Sequence, residues 1–268
     1  MTGEVGVLAN NGCHIFNGCG FPAPGLQSFN WKPLFTVGSF GFTKPMLLAI
    51  LAALVVIVFF WVAFWKPKLV PRGMQNLGEI AILGVRDQIL RPSLGRKGDS
   101  YLPLLVSLFF FIYVMNVMEL IPVLQFPVTS RIGFVWPMVF VVYFLYLFLG
   151  FKHQGIWGYF KSMIPPGVPW PIYIILVPVE LLRFFVFQPF TLGVRLFGNM
   201  FAGHLLLTIF TVATWYLLSL SVGLLYAVGS FALAIFVFLL ETLVTLLQAF
   251  IFTTLTATYI ASSVEPAH

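Results

Sequence analysis

The sequence predicts an all-α integral membrane protein. It has about five membrane-embedded helices plus a short interfacial amphipathic helix, and it ends in a long, strongly tilted helical hairpin. Three observations predict this. Of 268 residues, 60% are hydrophobic and 8% charged, with a mean hydropathy of +1.01. A soluble domain carries about 25% charged residues, so polar side chains are too few to cover a water-soluble globule. The apolar runs are continuous, without the period-two alternation of a membrane barrel, and helices then satisfy the backbone in lipid. Finally, the Lys and Arg residues lie mainly in connections between these runs, where positive charge sets topology. The net charge of +6 is thereby accounted for without nucleic acid.

Residues 1–44 hold Gly, Asn, Pro and aromatics, with no basic start followed by an apolar core, which argues against a cleaved signal peptide. This segment is expected to be extracytoplasmic, with residues 45–268 forming a single membrane domain. Cys13 and Cys19 lack Cys-x-x-Cys spacing, and with His14 alone beside them they make no zinc site. A small disulfide loop and two free thiols both remain open readings.

The first span runs over 45–65, about 30 Å of helix, with Trp61 and Trp65 suited to the membrane–water boundary. Residues 66–99 carry Lys66, Lys68, Arg72, Arg86, Arg91, Arg96 and Lys97 against Glu79, Asp87 and Asp99. That excess marks a cytoplasmic loop, placing the N-terminus outside and the C-terminus in the cytoplasm. Within it Met74, Leu77, Ala81 and Val85 recur at spacings of three and four, while Gln75, Glu79 and Arg86 occupy another side. A helix lying on the membrane surface and a partner-binding helix both fit this pattern.

The second span covers 101–122, with Glu119 expected at the hydrated outer boundary. The third covers 132–151 and returns to a loop holding Lys152, His153 and Lys161. Pro165, Pro166, Pro169 and Pro171 stiffen the approach to the next helix. The remaining apolar stretch divides near Ser219, Ser221 and Gly223 into segments of 172–218 and 224–262. If helical, each is roughly 60 Å long, against a hydrocarbon layer of ~30 Å. Breaks at Pro178 and Pro189 are one solution; strong tilt is the other and is favoured here. No internal repeat is visible, which lowers the expectation of a transporter built from duplicated halves.

Arg195 stands out in this hairpin. It follows eleven uncharged residues, Phe184 to Val194, and the next forty-five, Leu196 to Leu240, carry one histidine and no formal charge. Placing a guanidinium deep in a bilayer costs at least ~2.5–3.5 kcal/mol, so it normally meets a bundle interior, a water-filled cavity or a partner's charge. Snorkelling to the interface, or pairing with a buried carboxylate, is the plainer account. At 100° per residue, Gln188, Arg195 and Asn199 share one side, Glu180 lies roughly 22 Å earlier, and His204 roughly 13 Å further along. On the second long helix Glu241, Thr245 and Gln248 form one stripe. Glu241 is expected near His204, and Gln248 near the level of Arg195 and Asn199.

Titratable groups thus lie on both sides of a permanent cation. Histidine and glutamate exchange protons when their surroundings allow it; arginine does not, so it interrupts a proton wire while attracting any carboxylate brought beside it. A neutral carboxylic acid crosses lipid cheaply and its anion does not. If a partner carried such an acid past Arg195, the proton would leave by one wet path and be replaced from the other. Plainer readings stay open: hydrogen bonds between helices for Asn199 and Gln248, an ion pair of Glu180 with Arg183, and a structural contact of His204 with Glu241.

The stretch Pro189 to Gly203, centred on Arg195-Leu-Phe-Gly-Asn199-Met, resembles subunit a of the F-type ATP synthase. So do Met115-Asn-Val-Met-Glu119-Leu-Ile-Pro122 and Leu247-Gln248-Ala-Phe-Ile-Phe252. The likeness covers about residues 45–262. It implies a five-span stator subunit whose tilted helices flank a rotating ring of c subunits, with peripheral-stalk b subunits as neighbours and the F1 sector as an indirect partner. By the same likeness Arg195 is the essential arginine facing the ring carboxylate. His204 and Glu241 belong to an outer proton half-channel, Asn199 and Gln248 line the approach to the arginine, and Glu180 belongs to an inner half-channel. Some family members have a carboxylate where His204 stands and a histidine where Glu241 stands, so the order of proton loading is left open.

The function expected from this is proton translocation coupled to rotation, in a bacterial plasma membrane, without catalysis by this chain alone. No Gly-x4-Gly-Lys-Ser/Thr loop is present, and no cofactor or metal is expected. The alternatives are a self-contained ion channel or secondary transporter, and a structural membrane scaffold.

Overall fold

The computed structural model describes residues 21, 35–37, 40–121, 124, 126–162, 170–218 and 223–264. Cys13, Cys19 and the prolines at 165, 166 and 169 lie outside the described residues. A short antiparallel pair, β1 (Phe35–Val37) and β2 (Phe40–Phe42), precedes the first helix, with Phe35 opposite Phe42. The α-helices among the described residues are α1 (Lys44–Phe64), α2 (Met74–Val85), α3 (Arg91–Leu94), α4 (Leu102–Val117), α5 (Ile132–Ser162), α6 (Trp170–Leu182), α7 (Gln188–Leu217) and α8 (Gly223–Val264).

Among the described residues, five helical segments are long and apolar enough to cross a membrane: Lys44–Phe64, Gly98–Val117, Ile132–Gly155, Ile172–Leu217 and Gly223–Val264. The chain is a multi-pass membrane protein. The third span is longer than the sequence suggested. No helix breaker intervenes at Lys152 and His153, whose ring Nδ1 lies 3.0 Å from the Leu149 carbonyl, and the helix runs on until Gly155 turns it at φ 70°, ψ 165°. A side chain rarely adopts that backbone, so glycine sets the corner.

Pro178 lies inside α6 without ending it. Before Pro189, however, the helix widens into a π-turn over Arg183–Phe187, closed by the Gln188 N–H on the Arg183 carbonyl. Proline lacks an N–H and clashes with the carbonyl four residues back, and a widened turn relieves both problems without severing the helix. No such interruption occurs in α8. Its 42 residues make about 63 Å of helix, so tilt or protruding ends must accommodate it in the bilayer.

Contacts cluster into two compact units: residues 1–51, 115–131 and 198–246, and residues 52–114, 132–197 and 247–268. In the second, Val85, Ile89, Leu90, Leu105, Leu149 and Ile260 are among the residues of a buried apolar cluster. Gly78 lets α2 approach α1 closely, since a Cβ there would lie 2.9 Å from that of Ala63. The Gln154 amide donates to the Ser263 carbonyl at 2.9 Å, joining α5 to the end of α8. Lipid is as apolar as leucine, so such close packing and hydrogen bonding, rather than escape from water, hold membrane helices together.

In the first unit, the Thr129 hydroxyl donates to Asn116 Oδ1 at 2.6 Å, both residues fully buried, which pins the connection over the end of α4. Ser230 on α8 donates to the Phe210 carbonyl on α7 at 3.0 Å.

Candidate functional site

The polar residues singled out above fall into two groups. In the first unit, the chain leaves α4 through a tight turn, with the Glu119 N–H on the Asn116 carbonyl at 3.1 Å. That turn aims the Glu119 side chain inward, 4% exposed, rather than toward the hydrated boundary expected from sequence. Its Oε1 lies 2.9 Å from His204 Nδ1, a distance at which the two share a proton. Phe126 packs edge-on against the His204 ring, centroids 5.9 Å apart, screening one side of it with hydrocarbon.

Glu241 is buried on α8. Its carboxyl packs against the bare backbone of Gly203, where any Cβ would overlap it. Neither Glu119 Oε2 nor Glu241 Oε2 has a hydrogen-bond partner among the described residues. Buried carboxyl oxygens left unmatched are costly unless water or a proton reaches them. His204 is therefore brought together with Glu119 as well as set beside the Gly203–Glu241 contact, and Glu119 is the residue that sequence reasoning passed over. The available signal was Asn116 and Glu119, three apart at the end of an otherwise apolar helix. Asn199, predicted to line the approach to Arg195, is exposed on α7.

In the second unit, Arg195 sits 23 residues after Ile172 and 22 before Leu217, the ends of one apolar helical span. It is half-buried. Gln248 of α8, 2% exposed, donates from Nε2 to the Arg195 backbone carbonyl at 3.2 Å, leaving the guanidinium uninvolved. Among the described residues no carboxylate pairs with Arg195. In the same unit Tyr146 packs on Phe184 at 5.2 Å and on Tyr259 at 5.7 Å. Glu180 pairs with Arg183 at 3.2 Å. The Arg183 side chain is 61% exposed, so this pair lies on the outer side of the helix and not within the chain's own packing. Among the described residues no group of three or more His, Cys, Asp or Glu could hold a metal ion.

Such a molecule, a multi-pass helical protein with a lone guanidinium midway along an apolar helix and buried carboxyls on neighbouring elements, is of the class that handles ions within membranes. The chain belongs to the family described as ATP synthase A chain, which it matches over residues 46–261. It is 44% identical over 262 residues to "ATP synthase subunit a" of Streptomyces lividans, covering 96% of this chain and 92% of that protein. Proteins of the same name from Frankia alni and Rhodococcus erythropolis are 41% and 39% identical over 250 and 246 residues. Those alignments cover 91% and 90% of this chain, and 86% and 89% of the relatives.

Proposed function

We propose that this chain is the proton-translocating stator subunit of a rotary ATP synthase in a bacterial plasma membrane, with its N-terminus outside and its C-terminus cytoplasmic. It acts beside a c-subunit ring and peripheral-stalk b subunits, and carries no catalytic nucleotide site itself. The observation that carries this reading is the unmatched cation. Arg195 lies midway along a 46-residue apolar span, and no described carboxylate pairs with it. An uncompensated guanidinium at membrane depth calls for a counter-charge from outside the chain, and a ring carboxylate passing it supplies one.

Glu119, His204 and Glu241 then serve the outer half-channel, passing a proton among groups with an unmatched oxygen at each carboxyl. Glu180 serves the inner half-channel, with Asn199 and Gln248 at the approach to Arg195. A carboxylate arriving beside Arg195 is held as the anion; leaving, it takes a proton and re-enters lipid neutral, which makes proton flow and ring rotation one process. The test is proton flux into liposomes holding the purified chain alone, or the chain with ring and stalk. The reading expects flux only with the ring, whereas equal flux from the chain alone would establish a self-contained channel.

A further inference from the structure

We infer that the connection between α1 and α2 is an anionic-lipid site, in which Lys66, Lys68 and Arg72 hold phospholipid phosphates while the adjoining apolar surface enters the acyl boundary. The geometry is independent of the proton path. All three basic side chains are exposed, and among the described residues none has a carboxylate partner. The nearby acids are already engaged. Asp99 takes Arg86 at 2.9 Å, Asp87 takes Arg91 at 3.4 Å, and Glu79 accepts from the Gln75 amide at 2.8 Å.

The connection is also a built structure. Gln75, 9% exposed, accepts from the Lys68 N–H at 2.9 Å and donates to the Lys68 carbonyl at 2.8 Å, closing a two-bond clasp on the backbone. Pro67 and Pro71 stiffen it further by fixing their own φ angles. Three cations are thereby held on a short ordered loop, not on a floating chain.

The surroundings favour lipid over a protein partner. Trp61 and Trp65, 59% and 61% exposed with ring centroids 5.1 Å apart, end the membrane-crossing helix in the way interfacial tryptophans do. Beyond them Leu69, Met74, Leu77 and Ile80 are exposed at 105%, 44%, 54% and 58%. The other side of α2 is spent on packing, through Gly78 against α1 and Ile82 and Val85 in the core. The apolar surface thus continues from the exposed side of a membrane span to the basic loop, and an anionic headgroup joined to acyl chains matches both parts.

The full chain in phosphatidylcholine vesicles, probed with spin-labelled phosphatidylglycerol and spin-labelled phosphatidylcholine, tests this. The motionally restricted fraction should favour phosphatidylglycerol, and salt should weaken the preference. Lys66→Gln, Lys68→Gln and Arg72→Gln should each lower it by up to about fivefold, and the triple variant should abolish it. Lys66→Arg with Lys68→Arg should keep it, separating lost charge from misfolding. Arg96→Gln with Lys152→Gln, removing charge elsewhere, should leave most of it. No wild-type preference, full retention by the triple variant, or equal loss in the two charge-removal sets would overturn the inference. So would a triple variant that keeps its lipid preference while the assembled complex sheds its peripheral stalk, since the surface would then dock protein.

Discussion

The surroundings of His204 and those of Arg195 meet the penalty for polarity in a membrane in different ways. Around His204, the titratable groups come from the same chain: Glu119 at 2.9 Å, and Glu241 packed on the adjacent Gly203. Around Arg195 the chain gives only a carbonyl-directed hydrogen bond from Gln248, and no described carboxylate pairs with the guanidinium. Under the proposed function the first group passes protons internally. The second is incomplete within this chain. A lone guanidinium is tolerable where a second molecule delivers the anion, and the proposed function uses this contrast, with a relay around His204 and a docking point for moving charge at Arg195.

Breaking the contrast at the arginine has the largest expected effect. Arg195→Ala should abolish ATP-driven acidification of membrane vesicles while the complex still assembles, as read by subunit content after detergent purification. Gly203→Val follows, because its side chain must displace the Glu241 carboxyl. Overpacking costs about 1–3 kcal/mol, and pumping should fall by at least about tenfold even where assembly survives. Glu241→Gln and Glu119→Gln should slow pumping by about tenfold, less than the ~10²–10⁴-fold worth of a positioned acid–base group, since water can partly replace a relay. Glu119→Gln also sharpens the comparison: an unchanged rate would remove Glu119 from the path and leave it as a structural partner of His204. Gln248→Leu should have the smallest effect, about 1 kcal/mol or fivefold in rate, as expected for one hydrogen bond to a backbone carbonyl.

The helical spans were legible in the sequence because lipid demands long apolar runs, and the place of Arg195 well inside one of those runs could be counted directly. The level of Gln248 followed from helix rise and the hairpin turn. Glu119 was not legible as a partner of His204, since they are 85 residues apart and a turn after α4, not helical periodicity, decides where the carboxylate points. Nor was the π-turn before Pro189 readable, because a proline specifies that the helix must adjust but not whether it kinks, breaks or widens. The amphipathic pattern at 74–85 gave the α2 helix correctly but misjudged its sides. Val85 joins the core and Gln75 is buried as the clasp on Lys68, choices made by packing against α1.

The most direct measurement is the position of the Arg195 guanidinium in a structure of the assembled complex. The account predicts a ring carboxylate within about 4–6 Å of it, the range over which opposite charges hold one another ionised, or joined to it through a single water. A guanidinium turned to lipid, or paired with a carboxylate of its own chain with no ring carboxylate passing near, would contradict it.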